Sequence, residues 1–169
     1  LGVHPYGFAY PPDDPHGEHE GLNMNRILDL RTIMKAHKDG SKPVWATEIG
    51  WTTQGLGEGA GLTVTPGEQA DYLVRAWWKA HDEFPWLDVF TVWNLDSDLQ
   101  EEDEKAGYSL LRGDGTPKPA YQALQKAFDS AGVGQRTLAP WKLLDLLFPT
   151  ASSIPILARD EEVHLGDSE

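Results

Sequence analysis

Glu48 closes the run Lys42-Pro43-Val44-Trp45-Ala46-Thr47-Glu48, which reads as a short strand with proline at its entry and Gly50 marking the turn beyond. A carboxylate at the last position of an apolar strand has little packing value, because burying it unpaired costs several kcal/mol. It gains a purpose where parallel strands present chemistry at their C-terminal ends. In an extended chain Val44, Ala46 and Glu48 face one way and Trp45 and Thr47 the other. Four more side chains of chemical interest stand near predicted strand ends: His4, Tyr6, Trp51 and Trp93.

Three strand-then-helix units must position these groups. The first opens with Leu1-Gly2-Val3-His4, continues through a loop from Pro5 to Gly21, and predicts a helix over Asn23 to Lys38. Met24, Ile27, Leu28, Leu30, Ile33 and Met34 supply that helix with an apolar stripe. The second unit is the Val44–Glu48 strand, a Gly-rich loop from Gly50 to Val64, and a helix from Pro66 to Glu83. Its start is marked by Thr65 as cap, Pro66 at the first position and Glu68 completing a capping box. The third unit is a strand from Leu87 to Asn94, an acidic loop from Leu95 to Ala106, and a helix from Pro119 to Asp129. Strands alternating with helices imply a parallel sheet, so the fold class is α/β.

In a parallel sheet His4, Glu48 and Trp93-Asn94 share the C-terminal edge, since each ends its strand and precedes its loop. On the third strand Val89, Thr91 and Trp93 share one face, and Phe90 and Val92 lie toward the helices. A carboxylate, an imidazole, a phenol and two indoles then converge, which is the equipment a sugar ring needs: aromatic faces for its C–H groups and polar groups for its hydroxyls. His4 reads equally as a loop residue, and Trp51 and Trp93 each read equally as packing residues.

The Thr47-Glu48-Ile49-Gly50 segment resembles the nucleophile strand of retaining (β/α)8-barrel glycoside hydrolases, the clan that includes cellulases, xylanases and β-xylosidases. His4-Pro5-Tyr6 is similar to the end of that clan's sixth strand, and Trp93 to the end of its eighth. Gly107-Tyr108-Ser109-Leu110-Leu111 with Asp114 to Tyr121 is similar to its usual ending. The resemblance covers Leu1 to Phe128. It implies a partial TIM barrel, the last three βα units, with a C-terminal tail. It further implies that Glu48 attacks an anomeric carbon, while Tyr6 or His4 orients it and keeps it ionised, and that Trp51 and Trp93 bind substrate. The family's acid/base usually follows an Asn, and this chain has no Asn-Glu dipeptide. Hydrolysis of O-glycosidic bonds by double displacement is therefore expected of a parent protein and not of this segment alone. The alternative is a non-catalytic carbohydrate-binding or fragmentary derivative of the fold.

Composition bounds the rest. The 169 residues carry a formal charge of -13, which disfavours nucleic acid and anionic membrane as partners. There is no cysteine, hence no disulfide and no thiolate metal site, but the compartment stays open, with an extracellular parent allowed. No apolar run approaches membrane-span length, and a chain opening on Leu1 without Met is expected to have its start upstream. Asp13 to Glu20 offers two His and four carboxylates in no strong ligand pattern and reads as a solvated loop, so neither metal nor cofactor is expected. Gly55, Gly57, Gly59 and Gly61 suggest a flap beside Glu48. Residues 1–130 are expected to form the barrel part, with 131–169 a linker and tail. The expected partner is an oligosaccharide or polysaccharide, and open sheet edges predict self-association or marginal folding.

Overall fold

The Pro66–Glu83 helix shows how closely local chemistry dictates this fold. In the computed structural model, which describes residues 1–55, 61–99 and 103–132, the Thr65 hydroxyl accepts the Glu68 N–H at 3.2 Å and the Glu68 carboxylate accepts the Thr65 N–H at 2.7 Å. This closes the capping box, a feature worth about 1 kcal/mol.

The elements run β1 (Gly2–Val3), α1 (Ile27–Ala36), β2 (Val44–Ile49), α2 (Pro66–Glu83), β3 (Leu87–Val92), α3 (Glu104–Tyr108) and α4 (Pro119–Ser130), with 3₁₀ turns at Glu18–Gly21 and Met24–Arg26. The three strands form one parallel sheet in the order β1-β2-β3. The architecture is α/β with a small parallel sheet, as a piece of a TIM barrel would be. All these elements lie within one unit, Leu1–Ala131.

Helices close one side of the sheet. On α2 the buried positions Gln69, Leu73, Ala76 and Ala80 recur at helical spacing, and on α4 Ala120, Leu124 and Ala127 do the same. These two helices pack on each other, and their side chains join Val44, Ala46 and Ile49 of β2 in one core. Phe90 and Val92 of β3 pack against that core, on the helix side as expected.

Helix α1 departs from expectation. Leu30 and Ile33, read as part of the apolar stripe, are exposed, and Arg31 is buried instead. The cause is the turn beyond: the Arg31 guanidinium donates to the carbonyls of Gly40 and Lys42 and stacks over Trp86 at 5.0 Å. Carbonyls that need donors, and an indole face, turn the helix about its axis so that Arg31 takes the inward position. The acidic loop from Leu95 also differs, since it contains the short helix α3, capped by Asp103. Among the described residues no helix is long and apolar enough to cross a membrane. The parts of the expected flap at Gly57 and Gly59, and of the expected tail beyond Gly132, lie outside the described residues.

Candidate functional site

Strict alternation places Glu48 in phase with the buried Val44 and Ala46. The structure corrects this. Between Ala46, which faces Phe90, and Ile49, which faces Val92, β2 carries one more residue than β3. A compensating slip between Val44 and Trp45 keeps the strand ends matched. The extra residue moves Ile49 into the buried phase and leaves the Glu48 side chain 27% exposed at the strand end. A bulge that re-aims one side chain is a recurrent device beside functional sites.

The carboxylate thus freed meets the end of β1. The Tyr6 hydroxyl donates to Glu48 Oε2 at 2.6 Å, and His4 Nδ1 lies 3.5 Å from the same oxygen, with the His4 side chain 53% exposed. Among the described residues no hydrogen bond reaches Glu48 Oε1. Burial, then the hydrogen bond and the charge of Glu48, push the Tyr6 phenol well above its ordinary value of 10.0. Tyr6 therefore remains a proton donor through neutral and moderately alkaline pH. The loop that carries Tyr6 is stapled to the start of the first helical segment. The Asn25 amide donates to the carbonyls of Pro12 and Asp14, at 3.1 and 2.6 Å, and the Asn23 amide donates to Asp14 Oδ2. Within this loop His16 and His19 pair with different carboxylates, Asp29 and Asp14.

Two residues that the sequence reading did not place in the site complete it. Tyr108 of α3 packs edge-on against Tyr6 with ring centres 5.4 Å apart, and burial raises its own phenol pKa. Ser109 follows it, donating to Asn94 Oδ1 at 2.8 Å and accepting the Ser97 N–H at 3.0 Å. These bonds hold the end of the third strand, where the Trp93–Asn94 peptide is cis and the Trp93 side chain is partly open to solvent. Gly50 is required here by crowding and not only by a turn, because a Cβ there would stand 2.6 Å from the Trp93 carbonyl oxygen. The Gly107-to-Leu111 motif was the available signal for Tyr108 and Ser109.

Trp51 has a different place from the one its position suggests. It is 0% exposed, its indole N–H donates to the Tyr10 carbonyl at 2.8 Å, and its ring fills the space a side chain at Gly7 would occupy. A ring enclosed on all sides offers no face to a sugar, so Trp51 is a packing residue that ties the β2 loop to the β1 loop. Beneath it the buried Gln69 amide donates to the carbonyls of Trp51 and Gly107, at 2.7 and 2.9 Å. A polar residue inside the apolar phase of α2 was the signal for this brace. The structure brings together Glu48, Tyr6 and His4; Trp93 stands at the neighbouring strand end, and Trp51 lies below.

The fold can now be compared with known ones. A family 39 glycoside hydrolase from the gut symbiont Bacteroides cellulosilyticus WH2 matches 75% of this chain at 25% identity with a TM-score of 0.58. The chain resembles the TIM-barrel glycosidases. It spans only 26% of that enzyme's length. Looser likenesses are seen to β-glucuronidases of Bifidobacterium dentium, at 22% identity and a TM-score of 0.49, and of Faecalibacterium prausnitzii, at 19% and 0.46. The matches cover 76% of this chain in both cases, and 20% and 21% of those enzymes. No protein-family model and no curated protein matches the sequence.

Proposed function

We propose that Glu48 is the nucleophile of a retaining glycosidase site, and that residues 1–130 are the last three βα units of the barrel that carries it, followed by a linker and tail. The observation that bears most weight is the 2.6 Å hydrogen bond to Glu48, at the end of β2, from Tyr6 in the loop that follows the neighbouring parallel strand β1. It commits one carboxylate oxygen to a donor and leaves Oε1 free to attack. In the first step Oε1 bonds to the anomeric carbon as the bond to the leaving oxygen breaks, and the leaving oxygen takes a proton from a second carboxyl group. In the second step that group removes a proton from water, whose oxygen replaces Glu48 at the same carbon. The second carboxyl group must stand about 5–5.5 Å from Glu48, and we assign it to the part of the parent polypeptide that precedes this segment. His4 and Trp93 are assigned to substrate, the imidazole to a hydroxyl and the indole to a sugar face. The substrate class is an oligosaccharide or polysaccharide.

In a polypeptide that supplies the acid/base, Glu48→Gln is expected to lower aryl-glycoside hydrolysis by several orders of magnitude, because an amide cannot form the ester intermediate. Azide is expected to restore turnover to Glu48→Ala and to give a glycosyl azide. Full activity in Glu48→Gln removes Glu48 from the nucleophile role. The 169-residue chain by itself serves as the inactive control.

A further inference from the structure

Neither Tyr6 nor Tyr108 belongs to the hydrophobic core, and among the described residues each is the other's single aromatic neighbour. Tyr108 also leans on the chain that carries the carboxylate: a Cβ at Gly50, two residues beyond Glu48, would stand 3.1 Å from its ring. One ring therefore touches both the loop that brings the phenol and the turn beside its acceptor. The chain on either side of Tyr108 is tied down. The Gly107 carbonyl, in the peptide unit that leads into Tyr108, accepts the Thr53 N–H at 3.2 Å and the Gln69 amide at 2.9 Å. The Ala106 carbonyl accepts the Lys118 ammonium at 2.8 Å. Beyond Tyr108, Ser109 is fixed between Asn94 and Ser97, and the Leu110 N–H donates to the Asn94 carbonyl at 2.9 Å. A helix of five residues has little stability of its own, so these bonds make α3 a rigid mount. The Tyr108 hydroxyl, by contrast, makes no hydrogen bond among the described residues. The fold holds the ring in place, and not the hydroxyl.

We infer that Tyr108 is a positioning residue, whose ring is set by α3 as a wedge that confines the Tyr6 side chain to the orientation in which its hydroxyl meets Glu48 Oε2. The Glu48 side chain is 27% exposed at this edge, so water competes for its oxygens. A phenol free to turn about its Cα–Cβ bond would often point elsewhere. Ordering it costs rotamer entropy, and edge-on contact with a fixed ring favours one arrangement and offsets that cost. The wedge also shields the phenol from water, in keeping with burial as the largest cause of its raised pKa. The consequence for catalysis rests on the reading of Glu48 as nucleophile: a phenol placed in advance keeps Oε2 engaged and Oε1 free to attack. The contact between the two rings does not depend on that reading.

The test uses NMR of the full chain labelled with ¹³C and ¹⁵N. Three-bond couplings from Tyr6 Cγ to its backbone nitrogen and carbonyl carbon report the rotamer, and the Tyr6 Cζ shift reports the hydrogen bond. Glu48→Ala, which removes the acceptor, sets the Cζ position of the unbonded phenol. In Tyr108→Leu the couplings are expected to fall to rotamer-averaged values, and Cζ to move at least halfway to that position. Tyr108→Phe is expected to keep both readouts native, because the hydroxyl is unused. Leu110→Ala, at a buried position two residues away, is expected to lower stability and leave both readouts native. Should Tyr108→Leu fail to fold, Tyr108→Met carries the same expectation. Native couplings and Cζ in Tyr108→Leu, or an equal disturbance in Leu110→Ala or in Tyr108→Phe, overturns the inference and leaves the Glu48 reading standing. In a polypeptide that supplies the acid/base, Tyr108→Leu is expected to lower kcat about three- to tenfold with KM unchanged. Added to Tyr6→Phe it is expected to cause no further fall, and effects that multiply overturn the inference. Full activity in Glu48→Gln removes the catalytic reading alone, since the rotamer measurement still decides the wedge.

Discussion

The two faces of the sheet divide the work of this molecule. One is closed by helices: Val44, Ala46 and Ile49 meet Leu73, Ala76 and Leu124 in a continuous core. The other leaves Trp45 51% exposed and Thr47 open to solvent, and it grades at the strand ends into Glu48, His4 and Trp93. Fully burying a leucine-sized side chain contributes about 1.5–3 kcal/mol, so the helix side holds the fold. The open side carries polar and charged groups whose burial would cost energy. Where the two requirements meet, in the same strand, a bulge separates them by sending Ile49 inward and Glu48 to the edge.

This division can be broken from either side. The largest stability effect is expected at the helix face. Leu73→Ala, at a position 1% exposed, should cost about 2–5 kcal/mol in chemical denaturation, while a loss under 1 kcal/mol would mean that the helix layer is not the stabilising one. Next comes Tyr6→Phe, which removes a hydrogen bond to a charged group. In an active parent polypeptide kcat should fall about 10- to 100-fold, matching the roughly 1.5–3 kcal/mol such bonds contribute. An unchanged kcat would break the link between Tyr6 and catalysis. The same substitution has a pH signature. The folded Tyr6 pKa lies above its unfolded value, so the stability it contributes is whole below pH about 10 and declines as pH rises toward the folded pKa. Denaturation curves taken above pH about 10 should show a shallower alkaline loss in Tyr6→Phe than in the native chain.

Smaller effects sharpen the comparison. Thr65→Ala removes one half of the capping box and should cost about 1 kcal/mol, seen as a lower denaturation midpoint with unchanged cooperativity. Trp45→Gln, on the open face, should move stability by no more than about 0.5 kcal/mol. A loss several times larger would show that this face is covered in solution, and sedimentation velocity would then reveal whether a second copy covers it.

Much of the molecule was legible in the sequence. The limits of α2 follow from Thr65, Pro66 and Glu68, whose capping interactions are local and need no neighbour. The parallel order and the shared edge of His4, Glu48 and Trp93 follow from strands alternating with helices. The polar exception at Gln69 is visible as a break in an apolar phase, although its two carbonyl partners are not. The stripe of α1 misled, because Arg31 has a reason to turn inward only once the Gly40 and Lys42 carbonyls and the Trp86 ring are in place.

What the sequence determined by itself, then, is the inventory and order of elements and the candidate carboxylate, because periodicity, caps and turn residues act over a few neighbouring positions. Only the tertiary structure decided which way Glu48 turns, since its phase depends on register with β3. Only the tertiary structure enclosed Trp51, since the space it fills is made by Gly7 from another strand's loop. Facing and burial belong to pairs of segments distant in sequence, and no single segment encodes them.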